Sequence, residues 1–190
     1  MRSLTVLILG SAFCVTIASA QSTNTDWQPG FRAAVGVGFG SSGISCDGCS
    51  GSRDNSASGM LRFGGGIRPG LVLGGQLTTW AKNVEGGTES LTFVNFVTQW
   101  YPQPRQGFFV VGGLGVAALN GTGEGVELRT NSLGLQAGVG YDVNLTRRFA
   151  ITPYADLLYG TGGNAQVNGS TTNVNISSSL MQVGVAASWR

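Results

Sequence analysis

The chain contains no histidine among its 190 residues, and this one absence removes a large share of enzyme chemistry. Without imidazole there is no His general base, no His metal ligand and no Ser–His or Cys–His nucleophile pair. Lysine occurs once, at Lys82, and charged residues are 11%, where an ordinary soluble domain has roughly 25%. The balance of 11 basic against 9 acidic residues leaves no basic surface for nucleic acid. Three cysteines, Cys14, Cys46 and Cys49, cannot assemble a four-ligand zinc site without a histidine. No stretch after residue 20 reaches about 18 apolar residues, so no spanning helix is read. Neither a metal nor a cofactor is expected. What is abundant is glycine, 32 residues, without the G-X-Y period of collagen, and apolar residues at 42%.

The first twenty residues read as a secretory signal peptide. Arg2 precedes the apolar run Leu4 to Ala12, and Ala18-Ser19-Ala20 supplies the small residues that a signal peptidase requires. The expected division is therefore 1–20 leader and 21–190 mature domain. Export places Cys46 and Cys49 in an oxidising compartment.

The mature chain is a rhythm of period-two alternation, the strand signal. Eight segments stand out, near 30–41, 56–68, 71–81, 90–101, 107–119, 130–143, 149–161 and 174–190. Most run 11 to 14 residues, against a usual strand of about 5–6 and the roughly 9–11 that a tilted strand needs to cross a bilayer. The connections alternate too. Around 68–70, 102–106 and 144–148 they are short. At 42–55, 82–89, 120–129 and 162–173 they are long, polar and rich in Gly, Ser and Asn. This predicts an all-β, eight-stranded antiparallel up-and-down transmembrane β-barrel, with short turns on one side and long loops on the other.

The faces support that expectation. In the first segment Phe31, Ala33, Val35, Val37 and Phe39 oppose Arg32 and glycines. Leu61, Phe63 and Ile67 oppose Arg62. Leu133, Leu135, Val139 and Tyr141 oppose Gln136 and Asp142. Ile151, Leu157 and Tyr159 oppose Asp156, and Met181, Val183, Val185 and Trp189 oppose Gln182. All four mid-segment charges (Arg32, Arg62, Asp142 and Asp156) fall opposite the apolar face, where an Arg toward lipid at the midplane would cost about 2–4 kcal/mol. Segments four and five are apolar on both faces, and their parity stays open. Trp27, Phe31, Trp100, Tyr101, Phe108, Tyr141, Phe149 and Trp189 are expected in one aromatic girdle, and Phe39, Trp80 and Tyr159 in the other.

The stretches GFFVVGGLGVA (107–117), GLQAGVGYDVNLTRRFAITPYADLLYG (134–160) and LMQVGVAASWR (180–190) resemble the small bacterial outer-membrane β-barrel proteins, the group of the OmpA membrane domain and OmpX. The resemblance implies residence in the outer membrane as a monomer. It implies contact with outer-membrane lipid and lipopolysaccharide, and handling by the barrel-assembly machinery, which reads a terminal aromatic. Here Trp189 is that aromatic, followed by Arg190. Barrels of this kind that act on lipid A, phospholipid or protein use a catalytic His, so no catalytic residues are expected.

Two further features have candidate roles. Cys46-Asp47-Gly48-Cys49 is a C-x-x-C that could be a redox pair, half a zinc site or a small disulfide. With no second ligand pair and no helix after it, a structural disulfide is the favoured reading. Arg62 with Asp156, and Arg32 with Asp142, sit at matching heights and are expected to pair inside the barrel, because an unpaired buried charge is costly. A lumen closed in this way suits an envelope or surface-interaction protein. A narrow pore or hydrophobic-ligand conduit, and a soluble exported lipocalin-like barrel, are the alternatives.

Overall fold

The computed structural model describes residues 30–46, 53–84, 87–123, 126–167 and 170–190. The expected leader, 1–20, lies outside these residues, as does Trp27. Nine strands follow in order: β1 (Phe31–Cys46), β2 (Arg53–Arg68), β3 (Leu71–Val84), β4 (Gly87–Trp100), β5 (Phe108–Gly123), β6 (Val126–Tyr141), β7 (Val143–Asn144), β8 (Phe149–Val167) and β9 (Ser170–Trp189). Each pairs antiparallel with its chain neighbour from β1 to β6. β6 then pairs with β8, β8 with β9, and β9 with β1, which closes the cylinder. β7 pairs with the start of β8 and continues β6 past a break at Asp142, so the wall has eight staves. Closure leaves no sheet edge unpaired, the one way a β-structure can sit in a solvent that offers no hydrogen bonds.

Local chemistry sets the turns. Gly70 and Gly107 hold φ of +77° and +79°, which favour glycine. The Gly70 carbonyl accepts from Tyr101 N at 2.7 Å, and the Gly107 carbonyl from Asp142 N at 2.9 Å. Thr146 Oγ1 accepts from the backbone N–H groups of Arg148 (3.2 Å) and Phe149 (3.0 Å), closing the 145–148 turn.

The strands overrun the boundaries read from alternation, and always at the same end. β1 continues to Cys46 and β2 begins at Arg53, where a loop was expected over 42–55. Likewise β3 and β4 reach Val84 and Gly87, β5 and β6 reach Gly123 and Val126, and β8 and β9 reach Val167 and Ser170. The long loops are thus largely hairpin arms. Their Ser, Thr, Asn and Gly residues carry no apolar alternation. The ladder nevertheless propagates into them from the belt, as in Ser41↔Met181 through Cys46↔Ile176.

The outward rows are the apolar ones. Val37 is 73% exposed, Phe39 75% and Val183 60%, while Arg62 and Asp156 are 6% and 1% exposed. On β1 the outward apolar row runs from Phe31 to Phe39, eight residue steps. At about 3.4 Å per residue and a tilt near 40° that spans roughly 20 Å, close to the roughly 25 Å apolar band of membrane barrels. The open parity of segments four and five resolves as well: Leu91, Phe93, Asn95, Val97 and Gln99 of β4 and Phe109, Val111, Ala117 and Leu119 of β5 face inward. Phe31, Trp100, Phe108, Tyr141 and Trp189 stay outward near the short turns, and Phe39 and Tyr159 near the long hairpins.

Two girdle assignments are corrected. Trp80 is fully buried inside the cylinder, and Tyr101 is also turned in, at 5% exposure. Trp80 shares the parity of Gln76, which is buried inside the cylinder. Tyr101 is drawn in by its hydrogen bonds to Gln99 and Asp142.

Candidate functional site

The lumen is filled in three tiers. At the short-turn end the phenol of Tyr101 is the hub. Its oxygen accepts from Arg32 Nη1 at 3.3 Å and from Gln99 Nε2 at 2.7 Å, and its hydroxyl donates to Asp142 Oδ2 at 2.8 Å. Arg190 Nη2 meets the same carboxylate oxygen at 2.6 Å, and Thr152 Oγ1 donates to Asp142 Oδ1 at 2.7 Å. The Arg32 guanidinium lies 5.4 Å from the Tyr101 ring centroid. The expected pair of Arg32 and Asp142 is therefore part of a larger cluster. Tyr101 bridges the two residues, and Arg190 is a second cation on the carboxylate. In the sequence Arg190 stands out only as the residue that follows Trp189.

In the middle tier Arg62 Nη2 stands 3.6 Å from Asp156 Oδ2. Gln76 knits the two together: its Oε1 accepts from Arg62 Nε at 2.6 Å, and its Nε2 donates to Asp156 Oδ2 at 3.0 Å. Gln182 Nε2 adds a longer donor at 3.3 Å. Beside them Asn95 Nδ2 donates to Gln136 Oε1 at 3.0 Å. Space here is set by glycine. A Cβ on Gly138 would collide with the Asp156 carboxylate, and one on Gly140 with the Phe109 ring. The glycine-rich inward face is thus the room that the bulky polar and aromatic side chains of opposing strands occupy.

The tier toward the long hairpins is apolar. Trp80, Leu91, Phe93, Leu119, Leu158, Ile176 and Leu180 form one buried cluster, and Trp80 Nε1 donates to the Gly40 carbonyl at 3.0 Å. Leu91, Phe93 and Leu119 come from the segments whose sequence is apolar on both faces, and their inward turn builds this tier. A cavity of about 30 Å³, bordered by Arg32, Met60, Arg62, Gln99, Phe109 and Arg190, lies below the middle tier. It has room for a water molecule or two.

Cys46 is disulfide-bonded, and Cys49 lies outside the described residues. Trp189 packs edge-on against Phe149, centroids 5.6 Å apart, at the junction where β8 and β9 pair. Among the described residues no three His, Cys, Asp or Glu side chains are grouped as a metal site.

No protein-family profile and no curated protein sequence matches the chain. Solved structures do. Ail, the attachment invasion locus protein of Yersinia pestis, matches with a TM-score of 0.53 at 14% identity, over 82% of this chain and 97% of that one. Neisserial surface protein A (NspA) matches with a TM-score of 0.52 at 16% identity, over 84% and 98%. The fold is that of the eight-stranded outer-membrane barrels. At such low identity the likeness extends to the cylinder and its strand order, while the side chains that fill the lumen belong to this sequence.

Proposed function

We propose that the chain is an integral outer-membrane protein that acts without catalysis, holding a closed barrel in the bilayer and presenting its hairpin rim for contact at the cell surface. The observation that carries this reading is the outward belt. Val35, Val37, Phe39, Val183 and Val185 are each about half exposed or more. A soluble lipocalin-like barrel would turn such residues inward, and a contiguous patch of this size in water would drive aggregation. Against lipid it is stabilising.

The reading of a closed barrel over an open pore rests on the tiers. An aqueous path would have to cross the Tyr101–Asp142 cluster, the Arg62–Asp156 network and then the apolar cluster around Trp80. Surface contact is supported by the hairpin arms. From Phe39 to Cys46, β1 rises seven residue steps beyond the belt, roughly 20 Å of strand. That is a rigid platform, with Arg53, Asp54, Lys82 and Glu89 at its base. In this reading the short turns face the periplasm, Trp189 is the signal for the barrel-assembly machinery, and the protein is a monomer.

Three measurements test the proposal. The protein should fractionate with outer membranes, should show heat-modifiable gel mobility, and should give no steady conductance in planar bilayers. Recovery as a soluble protein refutes the membrane reading. Stable single-channel steps in the wild type would instead support a pore.

A further inference from the structure

Arg53 differs from every other cation placed above. It lies on the outward face of the barrel, where the apolar belt gives way to polar residues: Gly43 and Ser179 share its row, Asn55, Ser41 and Met181 form the next outward row, and Ala57, Phe39 and Val183 the one after that. Its guanidinium rests in a bed. Nε donates to Ser41 Oγ (3.2 Å), Nη2 to the Ser41 carbonyl (2.6 Å) and Nη1 to Ser179 Oγ (3.1 Å). Gly43, its cross-strand partner, leaves the space, since a Cβ there would stand 3.0 Å from Arg53 Nη1 and 3.1 Å from Ser179 Oγ. Among the described residues no carboxylate is a partner of Arg53. Three of its five N–H donors are used. One remains on each terminal nitrogen, the spacing that grips a phosphate in a bidentate manner.

From Ser41 and Asn55 an apolar concavity of about 660 Å³ runs round the outer wall across β1, β9, β8 and β6 to Val110 of β5, within the roughly 300–1,000 Å³ range of small-molecule sites. Phe39, Met181, Val183 and Leu157 border it, and Ala137 and Ala155 leave it open. Ser41, which holds the guanidinium, and Asn55 close its upper end.

We infer that Arg53 and this concavity form a lipopolysaccharide site, with a lipid A phosphate on the guanidinium and acyl chain in the hollow beside it. The inference rests on the outer-membrane reading, which places the long hairpins in the outer leaflet. Charge selects the occupant: a fixed cation with no carboxylate partner among the described residues, beside an apolar hollow, complements an anionic head carried on saturated chains. A second copy of this chain would bring another Arg53 or more apolar belt, which leaves the cation unmatched.

The test begins with the refolded protein in phosphatidylcholine vesicles, where flotation and gel mobility report insertion. Extracted protein is then titrated with lipid A, with the same lipid stripped of its phosphates, and with phosphatidylglycerol, counting bound lipids by native mass spectrometry. Lipid A should bind about tenfold more tightly than its phosphate-free form, as expected for losing a charge-assisted hydrogen-bond pair. Arg53→Gln should abolish that preference, Ala155→Trp should weaken lipid A binding several-fold, and Arg105→Gln, at the opposite end, should leave it unchanged. Gly43→Ala lifts the guanidinium without altering charge and should lower the preference to a few-fold, which serves if Arg53→Gln fails to fold. Insertion with an unchanged preference in the Arg53 and Gly43 variants overturns the site alone, as does equal affinity for phosphatidylglycerol. Failure of the wild type to insert overturns the membrane reading and the site with it.

Discussion

The Arg62–Asp156 network makes a quantitative prediction about stability. Both groups are essentially removed from water, at 6% and 1% exposure, with their heads 3.6 Å apart. At that distance and an effective dielectric near 20 the Coulomb attraction is about 4–5 kcal/mol, much of it offset by desolvation of the two ions. The net worth of the intact pair is therefore small, while the cost of breaking it is large. Asp156→Leu leaves the Arg62 guanidinium with only Gln76 and the face of the Phe109 ring, and Arg62→Met strands the Asp156 carboxylate between the Gln76 and Gln182 amides. Each single substitution should cost about 3–5 kcal/mol, and the double variant should return to within roughly 2 kcal/mol of wild type. The assay is equilibrium urea unfolding in lipid vesicles, followed by tryptophan fluorescence and gel mobility, assembled into a double-mutant cycle. The cycle should give a coupling of about 4 kcal/mol or more. Additivity within about 0.5 kcal/mol would refute the reasoning, because residues that act independently add to that precision.

Other predictions address each remaining part of the barrel. Val37→Arg, at mid-belt, should destabilise the protein in vesicles by about 2–4 kcal/mol, while Ser45→Arg, on the same outward row above the belt, should cost only about 0–1 kcal/mol; equal effects in the same unfolding assay would mean that no bilayer covers Val37. Trp80→Ala should cost about 3–5 kcal/mol by leaving a cavity in the apolar tier, and should yield flickering conductance in planar bilayers where the wild type gives none. Gly138→Ala should lose stability because its methyl occupies the place of the Asp156 carboxylate; a melting temperature equal to wild type would show that the carboxylate has another seat. Arg190→Ala removes one cation from buried Asp142 and should cost about 1–3 kcal/mol, read as a lower urea midpoint with an unchanged slope.

The wall of the barrel was legible because lipid imposes a strict rule on every second residue. Phe31 to Phe39, Leu133 to Tyr141 and Met181 to Trp189 each keep one apolar row without interruption, and four charges fall opposite them. The lumen obeys a looser rule. Inward residues need only fill space and satisfy one another, so Leu91, Phe93 and Leu119 are as acceptable there as Gln136, and period two loses its contrast on β4 and β5. The signal that could have placed Trp80 was its shared parity with Gln76. Tyr101 and Arg190 were illegible for a different reason. They lie at or beyond strand ends, where parity has lapsed, and their direction is decided by Asp142, a partner 41 and 48 residues away in sequence. Arg53 was hidden by the same loss of alternation in the hairpin arms: only the ladder extended through Ser41–Cys46 shows which way it points.

The division of the lumen into polar tiers and an apolar tier follows from what each end must hold. Near the short turns, chain reversals at 101–107 and 142–149 bring backbone and polar side chains into the mouth, and Asp142, Tyr101, Gln99 and the two arginines satisfy them. Mid-height atoms such as Asp156 Oδ1, Gln136 Nε2 and Gln182 Oε1 have no hydrogen-bond partner among the described residues, and a buried polar atom left bare costs about 1–3 kcal/mol. None of these three residues borders the small cavity beside Arg62. Above Asp156 the row of Leu158, Leu180, Phe93 and Trp80 offers water almost nothing to bind. The apolar tier is therefore the element that closes the lumen beyond the two polar tiers, and Trp80, the bulkiest side chain in it, is the residue whose loss should open the lumen.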